Sequence, residues 1–407
     1  MSDKRSVNDL AIFGGPSAFD EVHHVGAPNV GDRDRLLERI NDLLDRRWLT
    51  NDGPYVREFE KRLAEKIGVR HCIALTNATI ALEITIRALG ISGEVIIPSL
   101  TFIATAHSLQ WQQITPVFCD VEPETFTLDP DRIEELITPR TSAIVGVHLW
   151  GRPCRIDKLT DVARRNNLKL IFDAAHAFGC SWNGEMIGGF GAAEVFSFHA
   201  TKFFNTFEGG AVVTNDDELA RRIRVMRNFG FAGYDEVVSL GTNGKMSEVS
   251  AAMGLTGLES LQQFIDANRR NHEQYREELS GVKGITLIEY DEGQQHNYQY
   301  LVLLVDEDLT GINRDHLMNL LWAENVRARR YFYPGCHRME PYNSLYPDAA
   351  ARLPVTEAAV QRVLLLPTGT TIGPQDISTI CQIMRFAVSH GEEINQLLSA
   401  EAGTHAG

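Results

Sequence analysis

Between about Arg70 and Asp216 the chain alternates short apolar, β-branched runs with longer segments of helical period. The short runs are "HCIALT", "EVIIP", "TPVFCD", "SAIVGVHL", "LKLIFD", "EVFSF" and "AVVT". Between the earlier ones lie "ATIALEITIRALG", "ATAHSLQWQQ" and "IDKLTDVARRNN",. Strands joined by connections this long run parallel, because a tight turn reverses the chain and only a long crossover restores its direction. The pattern predicts an α/β fold, a mainly parallel seven-stranded sheet covered by helices. The last connections are less regular and leave room for one antiparallel strand.

Beyond this block the pattern changes. One long amphipathic helix is expected from about Ser247 through Leu279. "NYQYLVLLVD", a helix near Asp315–Glu324, and "VLLLP" followed by "GPQDISTICQIMRFAVSH" indicate a smaller α+β domain,. A chain of 407 residues exceeds one ordinary core,. The expected division is an N-terminal arm at 1–29, a large domain at 30–254 and a small C-terminal domain at 255–407. The Ala/Gly-rich tail after Leu398 is expected to be disordered.

Composition removes several classes of function. A net charge of −15 argues against a nucleic-acid partner, which wants a clustered basic face,. It does not argue against an anionic substrate, because a site can be locally positive inside an acidic protein. Six scattered cysteines without a CxxC pair fit a reducing cytosol rather than a disulfide framework,. The N-terminus has no apolar core of signal-peptide length, and no apolar run is long enough to span a bilayer,. The expected location is the cytoplasm. The GxGxxG, GxxxxGK[ST] and HExxH motifs are missing, and the histidines lack zinc spacing, so no metal is expected,.

In an open α/β sheet, ligands gather beyond the carboxyl ends of the strands. After "HCIALT" comes Asn77-Ala78-Thr79, opening a helix whose first amides suit a phosphate; Asn77 could equally be a plain helix cap,. After "EVIIP" comes Phe102, an aromatic at the same edge. After "LKLIF" comes Asp173, with His176 close behind, and a buried acid there calls for a cationic partner,. After "EVFSF" comes Lys202, held between apolar runs in "FSFHATKFFNTFEGGAVVTND". Desolvation lowers the proton affinity of such an amine, as Schiff-base chemistry requires. A phosphate seat, a ring platform, a strand-end acid and a lysine on successive strands match pyridoxal 5′-phosphate, whose ring nitrogen wants an acid and whose aldehyde wants an amine.

The motifs "RRWLTNDGPYVREFE", "TPRTSAIVGVHLWGRP", "FDAAHAFG", "FSFHATKFFNTFEGGAVVTND" and "TNGKMSEVSAAMGL" resemble, in order and over nearly the whole chain, the DegT/DnrJ/EryC1/StrS sugar-nucleotide aminotransferases. "GVHLWGRPC", "YFYPGCH" and "LPTGT" point within that group to 4-aminotransferases acting on dTDP-4-keto-6-deoxyglucose. The resemblance implies the aspartate-aminotransferase type I fold, with the cofactor on the large domain. It makes Lys202 the Schiff-base lysine and proton shuttle, and Asp173 the partner of the pyridine nitrogen. His176 would lie near the cofactor's 3′ oxygen, and Phe102 would stack on its ring. Ala78, Thr79 and Ser197 would hold the phosphate, with Asn243 reaching in from a neighbouring subunit of a homodimer.

Implied substrates are L-glutamate and a sugar nucleotide. Relatives with histidine in place of the lysine act as dehydratases; Lys202 favours transamination. A 3-aminotransferase on a 3-keto-6-deoxy sugar would share every cofactor residue. A non-catalytic regulator of the same fold would not need the set Asp173, His176 and Lys202. The sugar pocket is expected to draw on "WLTNDGP" and "RRYFYPGCH", where Tyr331, Tyr333 and His337 either face the sugar or pack the domain interface.

Overall fold

The computed structural model describes residues 4–404. The central sheet contains β1 (His71–Leu75), β2 (Glu94–Pro98), β3 (Thr115–Cys119), β4 (Thr141–Val147), β5 (Lys169–Asp173), β6 (Ala193–Ser197) and β7 (Gly210–Thr214), in the order β1-β7-β6-β5-β4-β2-β3. All pairings among β2 to β6 are parallel. β7 runs antiparallel to both β1 and β6. The exception has a local cause: the link from Ser197 to Gly210 contains no crossover helix, so the chain turns back beside the strand it has just left,.

Helices cover both faces, and alternation along each strand feeds two apolar layers. Phe172 and Phe196 enter one layer with Phe59, Leu63 and Leu159. Their neighbours Ile171 and Val195 enter the other with Leu82, Val95 and Ile223. The helices concerned are α1 (Arg33–Arg46), α2 (Pro54–Ile67), α3 (Ala78–Ala88), α4 (Ile103–Gln110), α5 (Ile156–Arg165) and α6 (Asp217–Met226). The loop "WLTNDGP" leads into α2, whose Tyr55 and Val56 amides donate to the Glu248 carboxylate at 2.8 and 3.0 Å.

The single helix expected from Ser247 to Leu279 is two helices, α7 (Glu248–Glu259) and α8 (Leu261–Leu279), broken at Ser260. α7 is buried nearly all round, and a Cβ at Gly254 or Gly257 would come within 2.5 Å of Phe59 or 3.0 Å of Phe204. α8 seats its first turns, Leu261 and Phe264, in the same layer as Phe59 and carries Tyr275 and Leu279 into a separate C-terminal cluster,.

That cluster packs α8, α9 (Arg314–Ala323) and α11 (Pro374–Ser389), with α10 (Pro354–Arg362) between them in the chain, against a three-stranded antiparallel sheet of β8 (Ile285–Leu287), β9 (Leu301–Val305) and β10 (Val363–Leu366). Val7 and Leu10 of the N-terminal segment join it. Buried Glu324 pins that segment by accepting from the amides of Ala11 and Ala18 at 2.8 and 2.7 Å and pairing with Lys4 at 3.0 Å. The tail expected to be disordered continues as α12 (Gly391–Thr404); its last three residues lie outside the described ones. All six cysteines are buried and unpaired. Among the described residues no helix is long and apolar enough to cross a membrane.

Candidate active site

Lys202 sits on the turn that joins β6 to β7. The turn is closed by Phe198 donating to Gly209 and by Thr206 and Lys202 donating to Phe198 and His199, all at 2.9 Å. Beneath it Phe196, Phe198, Phe203 and Phe204 are buried, and Phe178 and Phe59 complete the aromatic packing. Buried Asn29 ties the turn from behind, donating to Phe203 O and accepting from Thr370 Oγ1, while Asn205 donates to Asn29 O. These anchors leave the lysine side chain one direction, into a cavity of about 460 Å³ at the carboxyl ends of the strands. There Nζ donates to the Tyr300 hydroxyl at 3.2 Å. Burial pulls the amine down to about 8, with the Asp173 charge partly opposing the shift,.

Asp173 ends β5 on the same cavity. Its carboxylate accepts from Thr105 Oγ1 at 2.8 Å and from the Ala175 amide at 3.1 Å. Neither donor is a cation. Burial pushes the carboxyl up, against those two hydrogen bonds and the Lys202 charge. The site is thus built for a positive group that a ligand would bring.

At the start of α3 the capping reading of Asn77 is borne out. Its side chain caps Ile80 N–H at 2.8 Å,. The amides of Ala78 and Thr79 have no partner among the described residues and face the cavity as an anion seat,. β7 closes directly beneath this seat. A Cβ on Gly210 would come 2.7 Å from Ala78 N and Asn77 C, and 2.9 Å from Phe196 O. Gly210→Ala is therefore expected to cost about 1–3 kcal/mol of stability and to shift the seat. Thermal unfolding and titration with pyridoxal 5′-phosphate check this; a variant binding the cofactor at wild-type affinity would refute it.

His176 is buried and lines the cavity. Its Nδ1 accepts from the Trp150 amide at 3.2 Å, so in the neutral ring the hydrogen sits on Nε2,. Burial, with the Lys202 charge, holds the imidazole well below its ordinary range. Phe332 stacks on it at 5.7 Å, 9° from parallel. Phe102 lines the cavity with 56% of its surface exposed, an apolar ring awaiting a ligand face. Ser197 completes the group brought together here.

Asn243 is not brought into this cavity; it is exposed on the bridge to Asn228. "WLTNDGP" also lies apart from it. In "RRYFYPGCH", Tyr331 faces the cavity, Tyr333 packs against Arg314 and Arg330, and buried His337 is held between Ser99 and Glu357. Arg329 and Phe332 of the same stretch line the cavity too, and one cavity residue of the C-terminal part, Tyr300, was missed. Its only sequence signal is an aromatic residue opening the strand candidate "NYQYLVLLVD", which is too common to single out.

The anion seat, the flat apolar platform, the buried acid without a cation and the amine of lowered proton affinity fit pyridoxal 5′-phosphate group by group. A sequence profile of the DegT/DnrJ/EryC1/StrS aminotransferase family matches residues 31–385. The dTDP-4-amino-4,6-dideoxy-D-glucose transaminase of Shigella dysenteriae is 38% identical over 369 residues, covering 89% of this chain and 98% of that enzyme. The GDP-perosamine synthase of Caulobacter vibrioides is 37% identical over 363 residues, covering 88% and 95%. The crystal structure of DesI in the presence of its TDP-sugar product superposes with a TM-score of 0.91 at 51% identity, over 98% of this chain and 100% of that one.

Fold and site together define a pyridoxal 5′-phosphate-dependent aminotransferase of the aspartate-aminotransferase type I fold. The chain belongs to the DegT/DnrJ/EryC1/StrS aminotransferase family.

Proposed function

We propose that this enzyme moves the amino group of L-glutamate to the 4-keto carbon of a dTDP-4-keto-6-deoxyhexose, giving a dTDP-4-amino-4,6-dideoxy sugar. One observation carries the reading: the Lys202 amine, the Asp173 carboxylate and the open amides of Ala78 and Thr79 converge in a single cavity. The choice of carbon and nucleotide is supported by the likeness to DesI and to the Shigella transaminase.

Bound in the cavity, pyridoxal 5′-phosphate supplies an electron sink that acidifies the carbon bearing the migrating nitrogen. The chain's residues do the rest. Ala78, Thr79 and Ser197 would hold its phosphate, and Phe102 would cover one face of its ring. Asp173 would pair with the ring nitrogen and keep it protonated. His176, neutral, would offer Nε2–H to the ring's oxygen. Lys202 would be the amine for its aldehyde. With a value near 8, Nζ can both take and return a proton at the reacting carbon near neutral pH,. The same shuttle runs in reverse when the keto sugar replaces the keto acid.

In this reading residues 30–254 carry the cofactor, and residues 255–407 contribute Tyr300, Arg329, Tyr331 and Phe332. The active form is a cytoplasmic homodimer. Its support is an exposed apolar stretch, Phe229, Phe231, Tyr234, Val237, Val238 and Leu240, that leads to Asn243. A second copy would bury the stretch and bring Asn243 to its neighbour's phosphate.

The test is incubation with L-glutamate and a panel of 4-keto and 3-keto sugar nucleotides, with NMR of the product. A new amine at C4 of the dTDP-4-keto sugar is the expected outcome. Amination only at C3, or none on any sugar, would overturn the proposal.

A further inference from the structure

For Lys202 to take and return a proton, its free amine has to stay within reach of the reacting carbon. A lysine carries that amine on a long, flexible stem, and an anchored backbone turn does not by itself fix the far end. Among the described residues the only hydrogen bond that Nζ makes is the one to the Tyr300 hydroxyl, at 3.2 Å. Asp173 acts on the amine through its charge, while its oxygens are engaged by Thr105 and Ala175. Glu208, on the edge of the cavity, lies 3.5 Å from His199 instead.

Tyr300 is itself held in place. It directly precedes β9, and its carbonyl accepts from the Tyr290 hydroxyl at 2.9 Å. Its buried ring meets His176 edge-on at 4.8 Å and Tyr331 at 6.3 Å. Burial, with Tyr331 beside it, pushes the hydroxyl well above its ordinary range, and Gln299 only partly opposes this. The phenol therefore keeps its proton at neutral pH, with lone pairs to offer and a hydrogen to give. It accepts from Lys202 while the amine is an ammonium, and it can donate once the amine is neutral. With a value near 8, Nζ passes between those two states close to neutral pH. One fixed oxygen can thus hold the amine before and after it moves a proton. An ionised carboxylate in the same place could not, because it has no hydrogen to give.

The ring alone does less. Nζ lies 5.8 Å from its centre, near the outer limit of a cation–π contact,. A phenylalanine would keep that contact and both ring neighbours, and would lose only the oxygen.

We infer that Tyr300 is a further catalytic residue, whose hydroxyl holds the free Lys202 amine in both of its protonation states and keeps it aimed at the reacting carbon. This part belongs to the same site and rests on the aminotransferase reading above.

Tyr300→Phe and wild type are compared in two measurements. In stopped-flow half-reactions of the holoenzyme, the limiting rate should fall about 10–100-fold with L-glutamate and with the keto sugar alike, as for a displaced proton carrier. The half-saturating concentrations should stay within about 2-fold of wild type. In cofactor-free protein, borohydride trapping of pyridoxal 5′-phosphate on Lys202 should reach half its plateau about 1 pH unit below the wild type's value near 8, because the ammonium loses its acceptor,. Limiting rates within about 2-fold of wild type, an unchanged trapping midpoint, or a loss confined to the half-saturating concentrations would each overturn the inference. Wild type that traps the cofactor on Lys202 and yet aminates no keto sugar nucleotide would instead sink the function proposed above, while the trapping midpoints would still decide the part of Tyr300.

Discussion

Lys202→Ala abolishes transamination, with kcat falling by about 10⁴-fold or more, since both the covalent partner and the proton shuttle are lost. The visible band of the lysine-bound cofactor disappears with it, while the phosphate seat at Ala78 and Thr79 still retains the cofactor noncovalently. The fold survives, because the anchors of the turn are Phe198, Phe203, Phe204 and Asn205 rather than the amine. Absorbance and turnover on one preparation decide the matter; a variant keeping a tenth of the activity would refute the assignment. The wild type carries a pH signature as well. Reductive trapping of pyridoxal 5′-phosphate by cofactor-free protein should rise with pH through about 8 and level off above it, where an ordinary lysine would still be climbing,. The linkage has a definite sign. The folded value lies below the unfolded one, so between about 8 and the ordinary 10.5 the folded chain has shed a proton that the unfolded chain retains. The site's contribution to stability therefore increases with pH across that window, and Lys202→Ala flattens it.

Asp173→Asn separates function from stability. Activity should fall about 10²–10³-fold, because a neutral amide cannot hold the ring nitrogen protonated. Affinity for the cofactor should fall too. The cofactor-free variant should nonetheless be at least as stable as wild type at neutral pH. Its amide oxygen can keep the Ala175 bond, and the Thr105 hydroxyl can accept from the new N–H while donating to Thr101, 3.0 Å away. What is removed is a buried carboxylate with no cation in ion-pair contact, a costly group until the ligand arrives,. Burial raises the wild-type carboxyl, so its penalty grows as pH climbs from the ordinary carboxylate range to that raised value and levels off above it,. Differential scanning of both cofactor-free proteins, beside cofactor titration, tests the pair of claims. A variant that is both destabilised and fully active would contradict both.

The seven strands of the sheet were legible because each is a short, locally encoded apolar run whose ends are marked by polar residues. The strand-end acid and the lysine were legible for the same reason. In an open sheet the carboxyl ends share one edge, so residues that follow successive strands must meet there. The break at Ser260 was not legible. The helical period continues through it, and the break appears only in the folded chain, where α7 is buried nearly all round and α8 leads out of that layer toward the cluster around Leu279.

By itself, then, the order of residues determined which groups stand at the sheet edge: Ala78, Thr79, Phe102, Asp173, His176, Ser197 and Lys202. Strand alternation and parallel topology leave them nowhere else to go. Only the tertiary structure decided what faces them across the cavity. Tyr300, Arg329, Tyr331 and Phe332 come from well over a hundred positions further along than Asp173 on β5, and no local period reports such a contact. That Arg329 turns inward while Arg330 turns to Asp315 depends on which partners the folded chain sets within reach. Local periodicity encodes elements, whereas the facing wall of a site is encoded in the packing between them.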